Sequence, residues 1–321
     1  MIHPGQGDRV DRGTNRASFL SARSRSVEGV DTRNDIREFL ISRRAKITPE
    51  QAGLPAYGNK RRVPGLRREE AAMLAGISVE YYTRLERGNA SGVSEEVLEG
   101  IARSLQLDEA EHAHLFDLVR TANMTRPARR PTQERVRPSV QRILDAMTEV
   151  PAYIRNARLD ILSANRLGYA LYSELFTDPV RPANMARFIF LNRRAGDFFG
   201  DWESIANDAV AILRAAAGRD PYDRSLSDLI GELSTRSEEF RVRWAAHNVK
   251  FHRTGVKTLH HPLVGDLTLS YEALELPGDG GQRILVYTAE PASPSQEALN
   301  LLASWSATPD HASLEEVREE R

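Results

Sequence analysis

The sequence predicts a mainly α-helical chain with an α+β second domain: a five-helix N-terminal unit, then a C-terminal mixed sheet wrapped by helices. Three observations predict it. Apolar residues recur at helical spacing through residues 34–120, with capping residues and glycines between the segments. After residue 139 short apolar runs separated by turn signals alternate with helical stretches. Charge divides along the same line, with 25 Lys/Arg against 19 Asp/Glu in residues 1–142 and 19 against 26 in residues 143–321. A basic front and an acidic back point to two jobs, and a length of 321 residues allows two cores.

Taken in order, residues 1–33 are rich in Arg, Ser, Gly and Asp and read as a flexible tail. Ile36, Phe39 and Leu40 open the first helix at i, i+3, i+4. A polar connection with Pro49, Gly53, Pro55, Gly58, Pro64 and Gly65 follows, carrying the basic run Lys60-Arg61-Arg62. "LRREEAAMLAG" is a second helix ending at Gly76, where a left-handed cap favours glycine. Ser78 N-caps a third helix that Gly88 ends. "SEEVLEGIARSL" has acidic residues in its first turn and a stripe of Val97, Ile101 and Leu105. Asp108 and Glu111 open a fifth helix with capping-box spacing. Residues 121–138, with three prolines and five arginines, are a linker.

In the back half, "VQRILDAM" is helical, and two apolar runs around Asn156 form a hairpin. "RLGYALYSELF", "DFFGDWESIANDAVAILRAAAG" and "LSDLIGELSTRSEEFRVRWAAH" give further helices. Extended runs flank the turn at Pro277–Gly281, "SPSQEALNLLASW" closes the domain by residue 305, and residues 306–321 form a second tail.

Composition narrows the function. The absence of cysteine excludes disulfides, thiolate metal sites and Cys nucleophiles. No stretch approaches a membrane span and no N-terminal apolar run resembles a secretory signal, so a cytoplasmic location is expected. His247, His252, His260 and His261 cluster in sequence, but the first two are not on one helical face and no H-E-x-x-H accompanies them, so neither metal nor catalysis is expected. "GDGGQ" lies between strands and reads as a turn, not a phosphate cradle.

A helix, a tight turn at Gly76 and a second helix from Ser78 make a helix-turn-helix, whose second helix enters the major groove of duplex DNA. Tyr82 and Leu85 share the buried face of that helix, which leaves Val79, Glu80, Thr83 and Arg84 outward. Arginine can donate two hydrogen bonds to guanine, glutamate can accept from cytosine, and valine can touch a thymine methyl. Ser78, at the start of that helix, belongs to the same DNA-binding set, and Lys60, Arg61 and Arg62 join it on charge alone.

"EEAAMLAGISVEYYTRLERGN" resembles the Cro/C1-type (XRE-like) helix-turn-helix family, and the likeness extends through "SEEVLEGIARSLQLDEAE". It implies a lambda-repressor-like fold, base reading by Val79, Glu80, Thr83 and Arg84, a phosphate contact from Arg68, and an internal structural role for Glu86. The long basic connection over residues 46–65 departs from the family pattern. Together with "ERVRPSVQRILDAM", "LDILSAN" and "HPLVGDLTLSYEALELP…ILVYTAEP", the chain resembles the MmyB-like regulators over roughly residues 34–303. That likeness implies a PAS-like ligand-binding domain, a small effector such as a fatty acid, and an asparagine of PAS type at Asn165. Aromatic residues that could line such a pocket include Tyr153, Tyr169, Phe190, Trp202, Trp244 and Tyr271, although core packing is the commoner reason for aromatics at these spacings. The reading is a homodimeric, ligand-responsive transcriptional regulator without cofactor. The alternative is a DNA-binding protein whose back half only binds protein.

Overall fold

The computed structural model describes residues 28–54, 63, 65–123, 134–246, 248, 254–278 and 280–306. The front domain holds α1 (Glu28–Lys46), α2 (Arg68–Ala75), α3 (Val79–Glu86), α4 (Glu95–Ser104) and α5 (Glu109–Asn123). Helix α1 begins ahead of residue 34 and so takes in part of the stretch read as tail. The helices close around Ile36, Phe39, Leu40, Tyr82, Leu85 and Ile101, all fully buried. Gly76 adopts φ 71° and sends its N–H to Met73, while Ile77 N–H reaches Ala72, so the turn between α2 and α3 is held by backbone bonds. At Gly100 a Cβ would stand 2.6 Å from the carbonyl of Ala75, so only glycine lets α4 approach α2 this closely.

The back domain begins with α6 (Pro138–Ala146), then β1 (Ala152–Arg155) and β2 (Ile161–Ala164). Among the described residues eight helices complete its shell: α7 (Arg166–Leu171), α8 (Ser173–Phe176), α9 (Met185–Leu191), α10 (Arg194–Phe198), α11 (Trp202–Arg219), α12 (Arg224–Arg236), α13 (Glu238–Ala245) and α14 (Pro294–Ser306). Helix α9 has no counterpart in the sequence reading, and the long helix expected from Asp197 is broken into α10 and α11 by the turn at Gly200. Three further strands, β3 (Thr254–His261), β4 (Gly265–Glu275) and β5 (Arg283–Thr288), complete a five-stranded sheet in the order β2-β1-β5-β4-β3.

The sheet is antiparallel at every pairing, which corrects the expectation of a mixed sheet. The reason is connectivity. β1–β2, β3–β4 and β4–β5 are each joined by short turns, which force antiparallel pairing. The long helical excursion between β2 and β3 then delivers β5 antiparallel against β1.

Strand β4 alternates cleanly, with Leu267, Leu269 and Tyr271 inward and Thr268, Ser270 and Glu272 outward. Strand β1 is buried on both faces because Val140 and Leu144 of α6 cover Ala152 and Ile154 from behind. Helix α11 gives Ala206, Ala209, Val210 and Leu213 to the core of the back domain. It also packs against α5 of the front domain, where Thr121 Oγ1 donates to the carbonyl of Gly218 at 3.2 Å. Gly218 is required there, since a Cβ would meet the His114 ring at 2.6 Å. Arg43 reinforces this junction from α1, pairing with Glu111 at 2.5 Å and donating to Asn248 at 3.3 Å.

Candidate nucleic-acid interface and sensor core

Helix α3 is set by its ends. Ser78 is extended and its hydroxyl accepts from Tyr81 N–H at 3.1 Å, so this residue serves as the N-cap. Tyr82, Leu85 and Glu86 are buried against the domain, leaving the opposite face outward. Val79, Glu80, Thr83 and Arg84 line a shallow open groove together with Arg87 and Asn89. The Arg84 guanidinium lies 4.6 Å from the centroid of Tyr81 and is held there by cation–π attraction. Arg87 and Asn89 were not singled out from the sequence, because they follow the helix rather than belong to its periodic face.

Glu86 anchors α3 from below. Its carboxylate is buried and accepts from Arg44 Nε at 2.8 Å and from Arg68 Nε at 2.8 Å. The Arg44 guanidinium is held above its usual range, with burial opposed and outweighed by the hydrogen bond and charge of Glu86. Arg68 is the first residue of α2 and its side chain is 52% exposed, so it is tethered at Nε yet open to solvent. Lys60, Arg61 and Arg62 lie outside the described residues.

In the back domain, the aromatics singled out from the sequence fall into separate groups. Tyr153 and Tyr271 meet Tyr172 and Tyr287 inside the sheet's helix-covered face. Tyr172 and Tyr287 hydroxyls are 2.8 Å apart, with Tyr153 Oη 3.3 Å from Tyr287 Oη. Lys257 enters the same cluster, its Nζ donating to Tyr287 Oη at 3.3 Å and lying 4.8 Å from the Tyr271 ring centroid. Burial first, then the like charge of Arg155, pushes the Lys257 ammonium down to about 7, with Asp208 opposing. Burial raises the phenols of Tyr153, Tyr172, Tyr271 and Tyr287.

Phe190, Trp202 and Trp244 form a second group, in which Phe240 lies against Phe190 and Trp244 while Trp202 packs on Phe190. Trp202 Nε1 donates to the carbonyl of Ile189 at 3.0 Å. Arg214 lies 4.0 Å from the Trp244 ring centroid, and burial pushes its guanidinium down to about 10 despite Asp35 and Glu38 of α1. Tyr169 packs apart from both groups, against Phe176. Asn165 is fully engaged: Oδ1 accepts from Ala152 and Gly168 N–H, and Nδ2 donates to the carbonyls of Met147 and Val150. It therefore caps α7 and ties α6 to the sheet.

The sequence reading missed Arg155, Tyr172, Tyr287 and Lys257. A signal for Lys257 was present: in "TGVKTLHH" it falls in phase with the buried Leu259 and His261. Of the histidines, His260 pairs with Asp266 at the surface and His261 is buried near Ala170, while His247 and His252 lie outside the described residues. No group of three or more metal-ligating side chains occurs among the described residues.

A helix-turn-helix unit carrying an outward polar face, joined to a sheet domain with an aromatic interior, defines a DNA-binding protein with an attached sensor. Two family comparisons agree with that class. Residues 41–115 match a helix-turn-helix domain family, and residues 136–302 match the MmyB-like transcription regulator ligand binding domain. The second match spans more than half of the chain, which therefore belongs to the MmyB-like regulators. Both families are regulatory, and the pair defines a ligand-modulated transcription regulator acting on DNA. No curated protein matches the chain. No described helix is long and apolar enough to cross a membrane.

Proposed function

We propose that the protein is a homodimeric operator-binding regulator whose effector is a small lipophilic acid, of fatty-acid type, bound inside the back domain. Val79, Glu80, Thr83 and Arg84 read base edges, Arg68 contacts the phosphate backbone, and Lys60–Arg62 add to the positive potential. The observation that carries the DNA-reading assignment is the outward polar face of α3, locked from behind by Glu86. Tyr153, Tyr271 and the cluster around Lys257 are the polar anchors of the effector site, and Phe190, Trp202 and Trp244 belong to its apolar wall. Asn165 and Tyr169 support it from outside.

Regulation follows from linkage. An effector that favours one dimer geometry changes the spacing of two α3 helices, which must meet half-sites about one helical turn apart, ~34–36 Å. DNA then alters effector affinity by the same factor. The test is selection of an operator from random duplexes, then anisotropy titrations with and without the small molecule that native mass spectrometry finds on the purified protein. Sequence-independent binding sinks the operator reading, and an unchanged affinity sinks the effector reading.

A further inference from the structure

Glu80 and Arg84 stand four residues apart on α3, the spacing at which an acidic residue ahead of a basic one pairs along a helix. Both line the open groove. Among the described residues no ion pair joins them, and Arg84 turns instead to Tyr81, its guanidinium carbon 4.6 Å from the ring centroid. Tyr81 is well placed to hold it. It sits in the first turn of α3, its N–H donates to Ser78 Oγ at 3.1 Å, and its side chain is half-buried next to the fully buried Tyr82. Helical side chains lean toward the N-terminus, so the ring three places ahead draws the head of Arg84 back to the end of α3 where Val79 and Glu80 lie.

Which neighbour Arg84 chooses decides what it has left to offer. A guanidinium resting on an aromatic face is attracted to the π cloud and keeps its five N–H donors unspent. An ion pair with Glu80 would consume donors of the arginine and acceptors of the glutamate together, the groups through which both read bases in the function proposed here. At an exposed site the two attractions are of similar size, so loss of the ring is enough to tip the choice. We propose that Tyr81 is a positioning residue for base recognition: its ring keeps Arg84 apart from Glu80, so that both side chains meet DNA with their hydrogen-bonding groups open. The inference rests on the assignment of α3 as the base-contacting helix and adds to it the residue that sets the preference of Arg84. Tyr81 needs no contact with DNA to do this.

The test uses the full chain, a duplex that it selects from a random pool, and single-pair variants of that duplex, in anisotropy titrations. Arg84→Ala first locates the base pair whose preference depends on Arg84. Tyr81→Leu should then reduce discrimination at that pair about threefold while leaving the affinity for scrambled duplex at the parental value. Tyr81→Phe keeps the ring face and should retain the parental discrimination. Adding Glu80→Gln to Tyr81→Leu should restore discrimination at the same pair, because the competing carboxylate is gone, and a merely structural role for Tyr81 would not respond to that change. The DNA-free parental protein gives a readout that needs no stable variant at position 81: the Hδ protons of Arg84, assigned by their loss in Arg84→Ala, should be shifted upfield in proton NMR by the ring current of Tyr81. Parental discrimination in Tyr81→Leu, an equal loss in Tyr81→Phe, a loss on all duplexes alike in either, no recovery in the double variant, or unshifted Arg84 protons each overturns the proposal and leaves the base-reading assignment standing. Equal losses on selected and scrambled duplex in Arg84→Ala, or failure to select any duplex, would instead remove that assignment and the proposal with it.

Discussion

Arg68 on α2 and Glu86 on α3 are joined by a 2.8 Å hydrogen bond from Nε to Oε1. Arg44 of α1 takes the other carboxylate oxygen, so one buried anion fastens three helices together. Removing it leaves Arg44 without its partner in a site from which water is largely excluded. Glu86→Ala should therefore destabilise the front domain by ~3–5 kcal/mol, as for other broken buried pairs. Urea denaturation followed by far-ultraviolet circular dichroism measures this, and a loss under ~1 kcal/mol would show that the carboxylate is dispensable.

Arg68 pairs with Glu86 and, in the function proposed here, also contacts the phosphate backbone. Arg68→Ala should weaken all DNA sequences alike and lower the salt slope by about one. Because the pair with Glu86 is half-exposed on the arginine side, the accompanying stability loss should stay within ~1 kcal/mol. Anisotropy titrations at several salt concentrations on specific and scrambled duplexes separate the two effects.

Arg84→Ala should behave differently. It should cost ~1–3 kcal/mol on the selected operator and relax preference at one base pair. Equal losses on operator and scrambled duplex would move Arg84 from base reading to backbone contact.

Leu85 is fully buried on the opposite side of α3. Leu85→Ala should lower stability by ~2–5 kcal/mol through lost transfer energy and the cavity left behind. Thermal melting of the variant is the check, and an unchanged midpoint would mean that the inner face of the helix is misassigned.

Lys257 yields a pH prediction. Its folded-state value of about 7 lies below the ordinary 10.5, so between these values the unfolded chain binds the extra proton. Stability should consequently rise with pH from about 7 toward 10, by at most ~1.4 kcal/mol per pH unit from this group. Below pH 7 both states carry the charge and the full penalty is present. Lys257→Met should flatten the rise between pH 7 and 9.5, before the raised tyrosines begin to act in the opposite sense. Guanidine midpoints across that range decide it, and a parental slope in the variant would assign the pH dependence to other groups.

Much of the front domain was legible because its signals are local. Gly76, Ser78 and the Tyr82–Leu85 pair fix turn, cap and face within a few residues. The back domain was legible as strands and helices but not as a sheet order, since β1 finds β5 across more than a hundred residues and no local pattern encodes that partner. Helix α9 escaped notice because "RFIFL" is an apolar run whose period does not distinguish helix from strand. Within the back domain's interior the aromatics were visible by type, while Arg155 and Lys257, charged residues in strand segments, drew no notice. Their significance depends on burial, a property of the assembled domain.

Helix α11 closes one domain and abuts the other, with Gly218 shaved to admit the ring of His114. Regulators of this build invite cut-and-paste engineering, in which a new sensor is spliced behind an old DNA reader at the connection beyond Asn123. Such a graft would hand α5 a neighbour of the wrong contour. A chimera that keeps its response will need α5 and α11 inherited as a matched pair, so the portable unit is larger than either domain, and its boundary runs through the middle of the fold.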